Sequence, residues 1–382
     1  MKAIKAVWLF LVVFLLAGAY PVLAQDVETS AVQAILVDAA TGTVLMDKSA
    51  NDRMPTSSMS KTMTMYMVFD ALKAGRIKLE DEFLISEKAW RMGGSKMFIR
   101  VDTKVKVEDL IRGVIIQSGN DAAVALAEGL AGTEVAFAEA MNVRAKELGM
   151  MNSQFKNASG WPDPDHYSTA RDLAVLGYRI IHDFPEYYHY FSEKEFTYNK
   201  IRQPNRDPLL GRVRGADGLK TGHTDIAGYG LIGSAKRDGR RLILVVNGLD
   251  SEKARTEEST RILEWGFRNF ENRKLIEKGE NIDAADVWLG REDKVPLIAA
   301  EDLDVVLPVT RRTDLKLSVS YMGPLKAPVV KGDPVAKLLV EVPGQQAVEL
   351  DLLAGKSVEV ESFFGRARDR LTYLLTRQGI DG

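Results

Sequence analysis

Ser58-Met59-Ser60-Lys61 sets a hydroxyl and an amine three residues apart, a spacing that brings both onto one face of a helix. An amine within reach of a serine can take its proton and leave oxygen as a nucleophile, provided the amine is neutral. A hydrated lysine, with a pKa of about 10.4, fails that condition. The residues that follow answer it: Met63, Met65, Tyr66, Met67, Val68, Phe69 and Leu72 make the helix apolar nearly all round. Such a helix is buried, and burial disfavours an ammonium ion, so Lys61 is expected to act as a base.

The same pattern occurs again as Ser153-Gln154-Phe155-Lys156, and a four-residue motif alone cannot choose between copies. Context can. The second copy lies in the polar stretch Met151 to Gly160, rich in Asn and Ser, where a loop would leave Lys156 hydrated and protonated. The first copy has company downstream, Ser118-Gly119-Asn120 and Lys220-Thr221-Gly222, each tripeptide occurring once. Gly119 permits a tight turn that would carry the Ser118 hydroxyl and the Asn120 amide into a cleft. Lys220 and Thr221 suit a carboxylate, and Gly222 is expected to leave room for an extended substrate along a sheet edge.

The elements that must position these groups can be read from periodicity. Ala34 to Val37 and Thr43 to Met46 form a hairpin around Gly42, and Tyr229 to Ala235 with Arg241 to Val246 return to strand character around Asp238-Gly239. Between them, helical spacing of apolar residues marks Met59 to Leu72, Val107 to Ile116, Ala122 to Leu130, Glu134 to Leu148 and Ala170 to Ile181. The order is α+β, an antiparallel sheet with a helical cluster, closed by a helix from Glu257 to Phe270. At 382 residues the chain exceeds one ordinary core. Short β-rich runs from Val287 to Leu353 predict a second, all-β sandwich domain without an ionisable cluster of its own, a spacer or interaction module.

Both ends differ from the middle. Lys2 and Lys5, the apolar run Ala6 to Ala17 and the small residues Val22 and Ala24 read as a secretory signal peptide cleaved before Gln25. Its loss removes two lysines and takes the formal charge from -2 to -4. At the other end Phe363, Phe364, Ala367, Leu371, Leu374 and Leu375 repeat at three- and four-residue spacing beside Arg366, Arg368, Arg370 and Arg377. That amphipathic helix suits a bilayer interface. The expected organisation is therefore 1–24 signal peptide, 25–275 catalytic domain, 276–361 β-sandwich domain and 362–382 membrane-associating tail.

Composition removes other classes of function. With 51 Lys+Arg against 53 Asp+Glu there is no basic block for nucleic acid, and with no cysteine there are no disulfides or thiol nucleophiles. The four histidines, His166, His182, His189 and His223, form no HExxH pair. His182 and His189 sit in a Tyr-rich stretch that reads as packing, so neither a metal nor another cofactor is expected.

Taken together, the three motifs resemble those of the penicillin-binding low-molecular-mass D-alanyl-D-alanine carboxypeptidases of the serine S-x-x-K group, peptidase family S11. The likeness extends to Tyr167 to Asp172, Lys194 to Asn199, Asn205-Arg206, Asp217 to Thr224, Trp265 to Phe267, the β region and Phe363-Phe364-Gly365. It implies a β-lactamase/transpeptidase-like domain that removes the terminal D-alanine from peptidoglycan stem peptides ending in D-Ala-D-Ala. Ser58 would be the acylated nucleophile, Lys61 its base and Ser118 a proton relay, with β-lactams as covalent inhibitors. Asn120, Lys220, Thr221, Gly222, His223, Arg206 and Arg255 would hold substrate, the backbone N–H groups of Ser58 and His223 would form an oxyanion hole, and Asp172 would support the site from behind. The protein would be exported and lie peripherally on the periplasmic face of the bacterial cytoplasmic membrane.

The sequence departs from the family at Ser159-Gly160-Trp161-Pro162-Asp163-Pro164-Asp165-His166, where relatives often carry His-Gly-Leu. Deacylation and substrate preference depend on that region. A class A β-lactamase, a DD-endopeptidase or transpeptidase, and a non-catalytic wall-binding module remain alternatives, although no E-x-x-L-N segment lies between Ser118 and Lys220.

Overall fold

The computed structural model describes residues 27–312, 314–342 and 347–362, so the signal-peptide segment 1–24 and nearly all of the tail lie outside it. Five antiparallel strands organise the first unit: β1 (Gln33–Asp38), β2 (Val44–Lys48), β3 (Ala216–Thr224), β4 (Gly228–Arg237) and β5 (Arg240–Leu249). Their order is β2-β1-β5-β4-β3, which joins the N-terminal hairpin to the later strands and leaves β3 at an edge.

Alternation along the strands feeds two cores, because successive side chains point to opposite faces. Ile35, Leu219, Ile232, Ile243 and Val245 pack against the helical cluster, while Ala34, Leu36, Leu231, Leu242, Leu244 and Val246 pack with Ile262 and Leu263 on the other side. Those two residues belong to the helix Glu252–Asn269, capped by Ser251 Oγ accepting from Ala254 N at 3.0 Å. The sheet is thus covered on both faces, which explains why its central strands are apolar at nearly every position.

The helical cluster comprises α1 (Lys61–Lys73), α2 (Val107–Ile115), α3 (Asn120–Ala131), α4 (Glu134–Glu147) and α5 (Ala170–Asp183). As its composition requires, α1 is buried on nearly all sides, with Met63, Val68 and Phe69 at 0% exposure. A 3₁₀ turn, Ser57–Ser60, precedes it. Two short ladders carry no legible period in the sequence, Glu82–Leu84 with Lys104–Lys106 and Glu195–Tyr198 with Ile201–Pro204. Each is too brief for alternation to stand out.

The β-rich unit begins at Phe270, whose strand Phe270–Ile276 pairs with Leu303–Pro308. A six-stranded sheet faces this ladder, and Ile276, Leu297, Leu307, Leu338 and Leu352 fill the core they share. No helix among the described residues is long and apolar enough to cross a membrane.

Candidate active site

Ser58 sits in the turn Ser57–Ser60 and Lys61 opens α1, so the i,i+3 spacing operates across the junction of two helix types. Lys61 Nζ lies 2.8 Å from Ser58 Oγ, 2.7 Å from Asn120 Oδ1 and 2.7 Å from the Ser159 carbonyl. A neutral amine has two N–H bonds and one lone pair. With two carbonyl oxygens taking the N–H bonds, the lone pair falls to the Ser58 hydroxyl. That count applies to the neutral amine, a form that the lowered pKa makes accessible near neutral pH. Burial is the chief cause that holds the Lys61 pKa down to about 7, with the Arg206 charge assisting and Asp121 opposing. The side chain is 0% exposed, whereas Ser58 is half-buried and opens on a cavity of about 380 Å³.

Asn120 is held from its other end, donating from Nδ2 to the Gly93 carbonyl at 2.8 Å. Its neighbour Asp121 accepts from the backbone N–H groups of Met97 at 2.8 Å and Phe98 at 2.9 Å, tying the 93–99 segment to the start of α3. The sequence suggested Gly119 as the special turn residue, but the left-handed conformation belongs to Ser118, at φ 57, while Gly119 sits at φ -58. Ser118 itself is buried at 2% exposure.

β3 forms the opposite wall. Lys220 Nζ donates to the Thr221 carbonyl at 3.1 Å, and its pKa is pushed well below the usual lysine value, first by burial and then by Lys61, Arg206 and Arg255. Thr221 is buried beside it, and His223 is exposed with its ring stacked on Tyr229 at 3.9 Å. Gly222 also has a packing purpose. A Cβ there would meet Ser57 Oγ at 2.2 Å and the Thr56 carbonyl at 2.9 Å, so the missing side chain lets β3 close against the turn that carries Ser58.

Arg206 reaches Ser95 Oγ at 2.6 Å on the rim. Arg255 is buried at 3% exposure, bonded to Glu252 at 3.1 Å, with its guanidinium 5.6 Å from the Tyr229 ring centre. Asp172 lies apart from this constellation. It accepts from Asn152 N at 2.9 Å and Ser153 Oγ at 2.7 Å, so it secures the loop that contains the second S-x-x-K.

Several contributors had no legible motif. Ser159 offers only its carbonyl, which no side-chain pattern reveals. Buried Asp207, raised to about 6 chiefly by burial, is coupled to Lys220 and Arg255. His166 accepts from Lys156 N through Nδ1 at 3.2 Å, so its proton resides on Nε2, which meets Ser60 Oγ at 2.7 Å. Ser60 in turn lies 2.5 Å from Thr56 Oγ1. The histidine thereby ties the 159–168 loop to the nucleophile turn, and burial holds its pKa down to about 4.

A serine hydroxyl 2.8 Å from a desolvated lysine, in a cleft between a helical cluster and a sheet edge, is the arrangement that a serine hydrolase with an amine base requires. Residues 21–251 match the D-alanyl-D-alanine carboxypeptidase family, and residues 270–360 match the penicillin-binding protein 5 C-terminal domain. The chain is 42% identical over 356 residues to D-alanyl-D-alanine carboxypeptidase DacC of Escherichia coli, covering 90% of this chain and 89% of that one. It is 38% identical to DacA of Haemophilus influenzae, covering 97% of each. Penicillin-binding protein 5 from H. influenzae superposes with a TM-score of 0.78 at 39% identity, covering 88% of this chain and 99% of that structure. The chain belongs to the D-alanyl-D-alanine carboxypeptidase family, peptidase S11, and is a serine D-Ala-D-Ala carboxypeptidase of the penicillin-binding type. The α+β catalytic domain and the all-β domain expected from the sequence are those of this fold.

Proposed function

We propose that Ser58 carries the acyl-enzyme and that Lys61 is its base. The observation that supports this most directly is the 2.8 Å approach of a fully buried amine to that hydroxyl. The Ser58 proton passes to Lys61 Nζ as Oγ bonds to the carbonyl between the two D-alanines. The tetrahedral oxyanion takes hydrogen bonds from the backbone N–H groups of Ser58 and His223, both of which line the cavity. Collapse breaks the C–N bond, and the departing D-alanine amine receives a proton through Ser118 and the Lys61–Lys220 pair. Water then cleaves the ester with Lys61 again as base and restores Ser58. The terminal carboxylate would bind where the Arg206 and Arg255 charges reach Lys220, the incoming anion favouring the protonated lysine, with Thr221 as a further donor.

In this reading residues 25–275 perform the chemistry and 276–361 hold it away from an attachment point. The amphipathic segment 362–382 would rest on the periplasmic face of the cytoplasmic membrane after loss of signal peptide 1–24, placing the enzyme beside the peptidoglycan. A β-lactam would acylate the same serine, as suggested by the related Listeria monocytogenes penicillin-binding protein D2, solved in an ampicillin-bound form. Mass spectrometry with a labelled penicillin tests the assignment: an adduct on the Ser58 peptide, lost in Ser58→Ala and kept in Ser153→Ala, is expected. An unlabelled Ser58 peptide would overturn it.

A further inference from the structure

The substrate of a carboxypeptidase ends at its terminal carboxylate, so the bound stem peptide stops on the side of the cleft that holds this group. The protein surface continues on that side. Gly94 and Ser95 line the cleft, and three hydrogen bonds lead outward from them: Arg206 Nη1 donates to Ser95 Oγ at 2.6 Å, Gln203 Nε2 to the Lys96 carbonyl at 3.2 Å and Asn199 Nδ2 to the Phe98 carbonyl at 3.3 Å. The hairpin 195–204 is thereby seamed to the segment 94–98, and the seam ends at a rim made of Phe98, the turn Asn199-Lys200 and Ile201.

Phe98 is held there in a strained backbone conformation. The Asp121 carboxylate accepts from the N–H groups of Met97, Phe98 and Ile99 at 2.8, 2.9 and 3.3 Å, and the turn that delivers them sets Phe98 at φ 67, where a bulky side chain is rare. Met97 and Ile99 are buried, whereas Phe98 is turned out to 47% exposure. Glycine or asparagine would hold the same turn with less strain, and neither would leave a ring in water. Across the seam, Asn199 and Lys200 are left-handed too, at φ 47 and 65, as a two-residue hairpin turn requires, and Ile201 follows at 40% exposure. Exposed Lys200 and Arg100 add positive charge beside the two apolar groups; exposed Asp102 opposes it, while Glu195 is engaged by Arg202. A lone exposed apolar residue is ordinary, but a strained aromatic set against a second apolar group and framed by cations has the make-up of an interaction surface.

We infer that the rim of Phe98 and Ile201 is a docking surface for a neighbouring strand of the peptidoglycan polymer, its sugar rings lying on the apolar groups and the carboxylates of an adjacent stem meeting Lys200 and Arg100. This rests on the placing of the terminal carboxylate near Lys220 and Arg206, which leaves the rim beyond the end of the stem being cut. A free pentapeptide has nothing that reaches the rim. A stem presented within the polymer brings the neighbouring strand with it, and the second contact then raises affinity through effective concentration.

Release of D-alanine by the full chain, from a soluble pentapeptide and from isolated peptidoglycan carrying the same stem, tests it. Phe98→Asn, which suits the left-handed turn, and Lys200→Glu are each expected to lower kcat/KM on the polymer about tenfold, mainly through KM, and to leave the soluble pentapeptide within about twofold. Phe98→Tyr should restore the polymer kinetics, and added salt should narrow the gap between Lys200→Glu and the parent. Polymer kinetics unchanged in both variants would overturn the docking surface, as would an equal loss on both substrates, which would make the segment a support of the cleft alone. Arg206→Ala reads the placing of the carboxylate separately: it should raise KM for the soluble pentapeptide about tenfold. An unchanged KM there would overturn that placing, whereas the failures of the rim show only in the comparison of the two substrates.

Discussion

Two segments of this protein carry the same S-x-x-K pattern, and the fold treats them in opposite ways. At Ser58–Lys61 the lysine is at 0% exposure and its amine lies 2.8 Å from the serine oxygen. At Ser153–Lys156 the serine bonds Asp172 and Ser168, each at 2.7 Å, and Lys156 lies on the surface 3.9 Å from Asp165. The difference is not in the tetrapeptide but in what surrounds it. The first copy crosses from a 3₁₀ turn into an apolar helix that desolvates the amine; the second lies in a loop, where the serine faces a carboxylate and the lysine faces water. Under the proposed assignment, reactivity is a property of burial and partner choice.

The sharpest way to break this comparison is to remove the reactive groups of each copy. Ser58→Ala and Lys61→Ala are each expected to lower penicillin acylation by on the order of a thousandfold or more, while Ser153→Ala and Lys156→Ala leave it within about twofold. Stopped-flow acylation with a fluorescent penicillin measures all four. A comparable loss from the second pair would show that the two copies are not distinct.

Acidity separates the copies next. Lys61 must be neutral to accept a proton, and its pKa is held to about 7. The acylation rate should therefore level off above pH 7 and fall about tenfold per unit below it, reaching about a hundredfold loss near pH 5. A flat profile from pH 5 to 8 would deny Lys61 the role of base.

Gly222 tests the packing behind that chemistry. A Cβ there would collide with the Thr56 carbonyl at 2.9 Å and Ser57 Oγ at 2.2 Å, pushing β3 away from the nucleophile turn. Gly222→Ala is expected to cost about 1–3 kcal/mol of stability and to slow acylation up to about a hundredfold, read by denaturant unfolding and the same stopped-flow assay.

How much of this was legible in the chain follows from the range of each signal. The burial of α1 could be read because its apolar residues are contiguous, and the edge position of Lys220 could be read because strands and turns announce themselves locally. The left-handed residue at Ser118 could not, since Gly119 beside it is the commoner host for such a turn. His166 and Ser60 are 106 residues apart, and a single histidine in a loop gives no hint of a partner that distant. Arg255 is covered partly by Tyr229, 26 residues away in the chain, a neighbour that local spacing does not announce.

His166 supplies a smaller effect with a definite sign. Its folded pKa of about 4 lies below the ordinary 6.5, so between those values the unfolded chain binds more protons than the folded one. Stability is complete above pH 6.5 and declines as pH falls toward 4, by up to about 3 kcal/mol at about 1.4 kcal/mol per unit. His166→Asn removes that titration and should flatten the decline in urea midpoint across this window. It should also lower acylation at neutral pH, because the 159–168 loop that presents the Ser159 carbonyl to Lys61 loses its tie to Ser60.

The smallest effect belongs to the silent copy and completes the contrast. Ser153 Oγ donates to Asp172 Oδ2 and lies within hydrogen-bond distance of Ser168 Oγ, so Ser153→Ala removes a link between the 151–160 loop and α5. Asp172 keeps the Asn152 N–H and is not left unpaired, which limits the cost to about 1–2 kcal/mol. The urea midpoint should fall accordingly with acylation unchanged, a stability effect without a kinetic one, whereas Ser58→Ala should do the reverse. Because Ser58 is half-buried at an open cavity and its removal leaves Lys61 two other acceptors, that variant should unfold within about 0.5 kcal/mol of the parent. Opposite responses to the same serine-to-alanine change would show that one copy serves the chemistry and the other serves the fold.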